Sequence, residues 1–173
     1  HLRLATEAGR LAVNNAWDGP DPGALATRES FENAIAVDMA LGGSTNAIVH
    51  LLAMAGRAGV DLDLDDFDTI SKKTPLIADL RPSGRFLMED FYFAGGLSAV
   101  LKRMEAILHM DVQTVNGKTI RENVKGAKVF NDEVIRTLKD PVSADGGTAV
   151  LRGNLAPNGA VIKHSAATPS LLQ

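Results

Sequence analysis

Residues 27–59 read TRESFENAIAVDMALGGSTNAIVHLLAMAGRAG, and this stretch decides the fold of the first half of the chain. Thr27 can cap a helix whose apolar residues recur at helical spacing. Gly42-Gly43 ends that helix, and Ser44-Thr45-Asn46 offers cap-competent side chains for a second helix that ends near Gly59. The stretch therefore predicts two helices connected by the five residues from Gly42 to Asn46, which we call the glycine joint.

Further helical patterns flank this pair in the first half of the chain. Apolar spacing predicts helices at 2–13 and 89–110, the second interrupted at Gly95-Gly96. A short helix is predicted at 66–73, with Asp65 as its N-cap. The first 110 residues are therefore expected to be mainly helical.

After Met110 the apolar period changes from 3.6 toward 2, which predicts a β-rich second half. Asn116-Gly117 is a strong tight-turn dipeptide, and residues 76–80 form a further short strand candidate in the first half. The charge balance changes at the same place, with 10 basic and 15 acidic residues in 1–110 but 8 and 6 in 111–173. We therefore place a domain boundary near residue 110. The main strand-like runs are 148–152 and 160–164, joined by a type I turn at 156–159.

Composition excludes several classes of function. The 173 residues are 45% hydrophobic and 23% charged with a net charge of −3, which is typical of a globular chain and predicts neither a nucleic-acid partner nor a membrane partner. The absence of cysteine excludes disulfides, a cysteine nucleophile and an iron–sulfur cluster held by cysteines of this chain. Because the chain opens on His1 inside a helical pattern, we expect it to be a piece of a longer polypeptide.

The glycine joint is the most site-like element of the sequence. A helix N-terminus offers unpaired N–H groups and a positive dipole to an anion, and glycines let a ligand approach the backbone. Ser44, Thr45 and Asn46 are therefore the candidate substrate-binding residues, for a carboxylate or a phosphate. The alternative is a capped helix after a tight bend, with no ligand.

Other polar residues are better explained by structural roles. The acidic run 61–68 lacks the glycine and glutamate that an EF-hand requires, so we interpret it as a helix cap. His50 has no second ligand at metal-binding spacing, Glu89-Asp90 resembles the acidic start of a helix, and Ser83 lacks a nucleophile elbow. From the residues alone, no catalytic residue and no metal ligand is assigned in this chain.

Five strings together resemble the dihydroxy-acid and sugar-acid dehydratase family, which includes phosphogluconate dehydratase. They occur in a consistent order, and the resemblance covers essentially the whole chain. The strings are TRESFENAI (27–35), ALGGSTN (40–46), LDDFD (64–68), RPSGR (81–85) and GNLAPNGAVIK (153–163).

The resemblance implies an α/β fold in which residues 1–110 end a large N-terminal α/β domain and residues 111–173 begin a β-rich, barrel-like domain. It also implies a cytoplasmic, oligomeric enzyme that removes water from a 2,3-dihydroxy acid to give a 2-keto acid. Family members use an iron–sulfur cluster as a Lewis acid, Mg²⁺ at the carboxylate and a serine as the proton acceptor. The motifs that carry these groups do not occur here, so the isolated chain is expected to be inactive.

The resemblance leaves the substrate open. The runs 129–136 and 163–166 look closer to the sugar-acid branch, such as arabinonate or xylonate dehydratases. One alternative is a dihydroxy-acid dehydratase of branched-chain amino-acid biosynthesis. A second alternative is a non-catalytic binding or oligomerisation module of the same ancestry.

Overall fold

The computed structural model describes residues 2–168 and 170. Its first part is helical, and its last part contains one antiparallel hairpin followed by a short 3₁₀ turn at His164–Ala166. The helices are α1 (Leu2–Asp18), α2 (Pro22–Leu25), α3 (Arg28–Leu41), α4 (Thr45–Ala58), α5 (Leu64–Ser71), α6 (Met88–Phe93), α7 (Gly96–Arg103) and α8 (Ile120–Asn123), and the strands are β1 (Ala149–Gly153) and β2 (Ala156–Ile162).

The two helices on either side of the glycine joint form as predicted. The Thr27 hydroxyl accepts a hydrogen bond from the Ser30 N–H at 3.3 Å and caps α3. At the other end, Gly42 adopts a left-handed conformation with φ of 57°, which favours glycine because a side chain would strain it. Ser44 then caps α4, and Gly59 ends α4 with φ of 72°.

The helix predicted at 66–73 begins two residues earlier, and its predicted cap was wrong. Asp63, not Asp65, is the N-cap, and its carboxylate accepts hydrogen bonds from the N–H groups of Asp65 and Asp66. The Asp66 carboxylate in turn accepts from the Asp63 N–H at 3.0 Å. This reciprocal capping box satisfies more helix-start donors than a cap at Asp65 would, and it explains the difference.

The hairpin forms, but its turn lies elsewhere than predicted. Gly153 pairs with Ala156, so the turn is Asn154-Leu155, and the predicted turn at 156–159 lies within β2. The register shifts between Leu151 and Gly153, and Gly159 has a φ of 101°. Pro-Asn-Gly therefore makes an irregularity in a strand rather than its turn.

The strand content elsewhere is lower than predicted. Among the described residues, β1 and β2 form the one ladder, and neither the barrel-like domain nor a strand at 76–80 is seen as such. Residues 76, 78 and 80 instead make isolated bridges to other segments. Asn116-Gly117 does form a tight turn, which is closed by a bridge between Gln113 and Thr119.

Two adjoining apolar clusters hold the molecule together, and α3 contributes to both. One cluster is built from α3, the 76–80 segment, α6 and α7, with Ile77, Val100 and Ile135 fully buried. The other joins α3, α4 and α5 around Phe67, and the hairpin packs Val150 against it. The end of α3, where the glycine joint begins, is therefore fixed from both sides.

α1 differs from the other long helices because none of its residues is buried. Its link to the described body is a hydrogen bond of 2.9 Å from the Asn15 amide to the Val115 carbonyl. Of the helices described, none has the length and apolarity that crossing a membrane would require.

Replacing Phe67 by alanine tests the second cluster. Phe67 is 1% exposed, so Phe67→Ala is expected to lower the free energy of unfolding by about 3–5 kcal/mol, because it removes buried area and leaves a cavity. Phe93→Ala is the matched control, since Phe93 is 67% exposed and its loss is expected to cost less than about 0.5 kcal/mol. Urea denaturation of both variants measures the difference, and equal losses would contradict this assignment of the core.

Candidate functional site

The hydrogen-bond donors of the glycine joint are mostly used within the chain. The Gly43 N–H donates to the Asp38 carbonyl at 2.8 Å. Further on, the Asn46 N–H donates to the Ser44 hydroxyl at 3.2 Å, and the Ala47 N–H donates to the Ser44 carbonyl at 2.9 Å. Within the described residues, the Thr45 N–H is left as a first-turn donor without an internal partner. The start of α4 therefore offers a ligand fewer backbone donors than its sequence predicts.

Asp38, one turn before the joint, packs its carboxylate against Gly43. A Cβ built on Gly43 would lie well inside contact distance of Asp38 Oδ1, so Gly43 is needed for close approach and not for its φ. Oδ2 of Asp38 is buried and has no hydrogen-bond partner among the described residues. The carboxylate thus lies beside the start of α4, where an external anion was expected.

Burial raises the pKa of Asp38 to about 6, because desolvation disfavours the charged form. The Ser44 backbone N–H and the charge of Lys163 act in the opposite direction and keep this pKa from rising further. Asp38 therefore changes charge near pH 6, about two pH units above an ordinary aspartate.

A cleft of about 420 Å³ opens beside the joint. Ser44 and Thr45 line one side, and Arg81 and Lys163 contribute two cations from other parts of the chain. Apolar side chains, including Phe91, form the remaining wall. Within the described ranges, neither cation has an acidic partner at ion-pair distance. The cleft is therefore suited to a ligand that carries an anionic group next to hydroxyl groups. Asn46, the third predicted residue, is exposed and does not line the cleft.

The segment that carries Lys163 is held in place by hydrogen bonds to residues 146 and 147. The His164 ring donates through Nε2 to the Gly146 carbonyl at 2.6 Å, and the Ser165 hydroxyl donates to the Gly147 carbonyl at 3.0 Å. Because that proton is used, the bond of 3.1 Å between the hydroxyls of Ser83 and Ser165 has Ser83 as its donor. Lys163 lines the cleft, whereas the His164 ring is hydrogen-bonded to Gly146. Both residues follow the end of β2 at Ile162, so the strand predicted at 160–164 ends two residues earlier than predicted.

Sequence reasoning missed three residues of this arrangement: Asp38, Arg81 and Lys163. Arg81 and Lys163 lie 35 or more residues from the joint, so no local spacing connects them with it. A signal did exist for Asp38, since an acidic residue four positions before Gly42 lies one helical turn from the end of α3.

The other polar candidates have structural roles. In the acidic run, Asp63 and Asp66 cap α5, and Asp65 pairs with Arg152. Asp90 accepts from the Leu87 N–H at 2.8 Å. In the described part of the chain no three His, Cys, Asp or Glu residues are grouped to hold a metal ion, and the sequence has no cysteine. The residues present therefore do not fit an iron–sulfur cluster or a Mg²⁺ site.

A double-mutant cycle tests the packing of Asp38 against Gly43. Gly43→Ala is expected to lower the free energy of unfolding by about 1–3 kcal/mol, because the new methyl group displaces the carboxylate. In an Asp38→Ala background the same change is expected to cost little, which gives a coupling energy of about 1 kcal/mol or more. Purely additive losses in urea denaturation would show that the two residues do not meet.

The raised pKa of Asp38 predicts a pH dependence of stability. The folded state binds this proton more tightly than the unfolded chain, whose aspartates titrate at about 3.9, so stability falls as pH rises from about 4 to about 6. Asp38→Asn removes the titration, and the difference in unfolding free energy between wild type and variant is expected to change over this range. A difference that is constant from pH 4 to 7 would mean that Asp38 has an ordinary pKa.

Comparison with known proteins identifies the family. Residues 1–123 match the family model described as dihydroxy-acid/6-phosphogluconate dehydratase N-terminal, and residues 133–173 match the corresponding C-terminal model. An L-arabonate dehydratase from Azospirillum brasilense is 52% identical over 173 residues, covering 98% of this chain and 30% of that protein.

Two further relatives have a similar sequence identity to this chain. A dihydroxy-acid dehydratase from Caldanaerobacter subterraneus is 48% identical over 174 residues, which is 99% of this chain and 31% of that protein. An L-arabinonate dehydratase from Rhizobium leguminosarum is 48% identical over 171 residues, which is 98% of this chain and 30% of that protein. The chain spans about 30% of the length of these relatives. The chain therefore belongs to the dihydroxy-acid/6-phosphogluconate dehydratase family.

Proposed function

We propose that this chain forms the acid-binding part of a dehydratase that converts a 2,3-dihydroxy sugar acid into a 2-keto-3-deoxy acid. The observation that carries the proposal is the pair of cations, Arg81 and Lys163, which line the cleft with no carboxylate at ion-pair distance in the described part of the chain. Their charges bind the carboxylate of the substrate. Ser44 and Thr45 lie on the same cleft and donate to its hydroxyl groups.

The reaction removes a proton from C2 and hydroxide from C3, and the resulting enol tautomerises to the 2-keto acid. Loss of the hydroxide needs a Lewis acid, and the residues of this chain do not fit the iron–sulfur cluster or the Mg²⁺ that the family resemblance implies. Loss of the C2 proton needs the serine that the resemblance implies, and the motif that carries this serine does not occur in the sequence. We therefore assign to this chain the binding and orientation of the acid. On its own it is expected to have no dehydratase activity.

The sugar-acid branch is our first choice of substrate class. The 52% identity to the L-arabonate dehydratase supports it, while the 48% identity to a dihydroxy-acid dehydratase keeps the branched-chain acids as the alternative. The domain junction near residue 110, a homo-oligomeric state and a cytoplasmic location stay predictions, as does direct ligand contact by Asn46.

A chimera tests the proposed role of the cleft. The aligned third of the Azospirillum brasilense L-arabonate dehydratase is replaced by this chain, and turnover of L-arabonate is measured. Lys163→Met in the chimera is expected to raise KM about tenfold or more with a smaller effect on kcat, because a charge-assisted hydrogen bond of about 1.5–3 kcal/mol to the substrate is lost. Arg81→Met is expected to act in the same direction.

Lys139→Met is the matched control, since Lys139 is exposed and does not line the cleft. An unchanged KM in both cleft variants would remove the cleft from substrate binding. An inactive but folded chimera that binds no L-arabonate would favour the non-catalytic module instead.

A further inference from the structure

Asp38 and the acid ligand would compete for the same positive region. The Asp38 carboxylate lies against Gly43 at the start of α4, and Lys163 is near enough to influence its ionisation. The same Lys163 lines the cleft in which the ligand is proposed to bind. One cation therefore faces two anions, a fixed internal one and an external one.

The internal carboxylate holds its position for steric reasons as well. Asp38 Oδ1 occupies the space that a Cβ on Gly43 would fill, and the Gly43 N–H donates a hydrogen bond to the main-chain carbonyl of Asp38. Oδ2 is buried and has no hydrogen-bond partner in the described residues, so the charged form lacks hydrogen bonds that would offset the cost of removing it from water. Asp38 is thus a partly buried carboxylate that is held in place by packing.

We propose that Asp38 is a positioning residue of the cleft, which excludes the acid group of a ligand from the start of α4 and directs it to Lys163 and Arg81. This inference rests on the proposed function of the cleft. Acid binding then depends on the charge of Asp38. When Asp38 is neutral, the full positive charge of Lys163 attracts the ligand. When Asp38 is charged, it repels the ligand and partly neutralises the charge of Lys163.

The groups that face Asp38 are few. Lys163 approaches from the segment after β2, and the first turn of α4 contributes the Ser44 N–H. On the opposite side Asp38 lines an apolar groove of about 580 Å³, where His50 of α4 is the other titratable residue. The residues that α7 and α8 contribute to this groove, Leu97, Leu101 and Ile120, carry no charge. Among the described groups of this groove, His50 is therefore the other one that could make ligand binding depend on pH, and it needs a control variant.

The test measures L-arabonate binding to the 173-residue chain by calorimetry at pH 5.0 and 7.5, where this sugar acid stays an anion. Wild type is expected to bind about three- to sixfold more tightly at pH 5.0, the factor expected for like charges about 4–6 Å apart when water screens them. Asp38→Asn is expected to bind equally well at both pH values, with the affinity that wild type shows at pH 5.0. A carboxyl NMR titration is expected to show a higher pKa for Asp38 in saturating L-arabonate, as linkage requires.

Two control variants separate the sources of the pH effect. Asp18→Asn removes the same charge at the exposed end of α1, and His50→Gln removes the other titratable group of the groove. Both are expected to keep the wild-type ratio between the two pH values. If His50→Gln alone abolished the ratio, His50 rather than Asp38 would be responsible, and the inference would be overturned.

The results distinguish failure of this inference from failure of the proposed function. In one outcome Lys163→Met loses binding, while Asp38→Asn keeps the wild-type ratio of affinities between pH 5.0 and 7.5. This outcome overturns the role of Asp38 and leaves the cleft as the acid site. Binding that is unaffected by Lys163→Met, or undetectable in wild type, overturns both.

Discussion

The last turn of α3 is the point on which the rest of this structure depends. A helix ends with carbonyl groups that have no partner within the helix, and each must be satisfied by another part of the chain. Here the Asp38 carbonyl accepts from the Gly43 N–H, the Met39 carbonyl from the Gly147 N–H at 3.1 Å, and the Ala40 carbonyl from the N–H groups of Ile77 and Ala78 at 2.9 and 3.1 Å. Two segments distant in sequence, at residues 77–78 and at Gly147, are thereby fixed around one helix end.

This convergence explains why the cleft contains residues from four parts of the chain. The 77–78 contact places Arg81 a few residues further along, and the Gly147 contact brings the 163–165 segment close through its bonds to residues 146 and 147. Gly147 approaches so closely that a Cβ on it would lie 2.7 Å from Gly42 Cα. The cleft is therefore a consequence of how α3 ends, and hydrogen bonds to backbone carbonyls hold the segments that carry its two cations.

The sequence predicted local features well and distant ones poorly. The caps at Thr27 and Gly59 follow from the chemistry of single residues, and both were confirmed. The end of α3 at Gly42 and the N-cap of α4 at Ser44 fall within the predicted groups Gly42-Gly43 and Ser44-Thr45-Asn46. The predicted N-cap of α5 was wrong because several neighbouring aspartates can cap a helix, and the reciprocal bonds of the capping box select Asp63. The predicted turn of the hairpin was wrong because the register of the strand ladder, rather than the local sequence, places the turn. Lys163 and Arg81 could not be connected with the joint at all, since tertiary contacts alone bring them there.

The side chains that line the cleft can select some features of an acid but not others. Two cations and two hydroxyls recognise a carboxylate with a neighbouring hydroxyl, and every 2-hydroxy acid presents that group. A sugar acid and a branched dihydroxy acid differ further along, where one carries more hydroxyl groups and the other carries methyl groups. Discrimination between them needs either unsatisfied polar groups or an apolar surface around those distal carbons. Leu80, Met88 and Phe91 line one part of the cleft, and such an apolar wall alone does not distinguish the two acids.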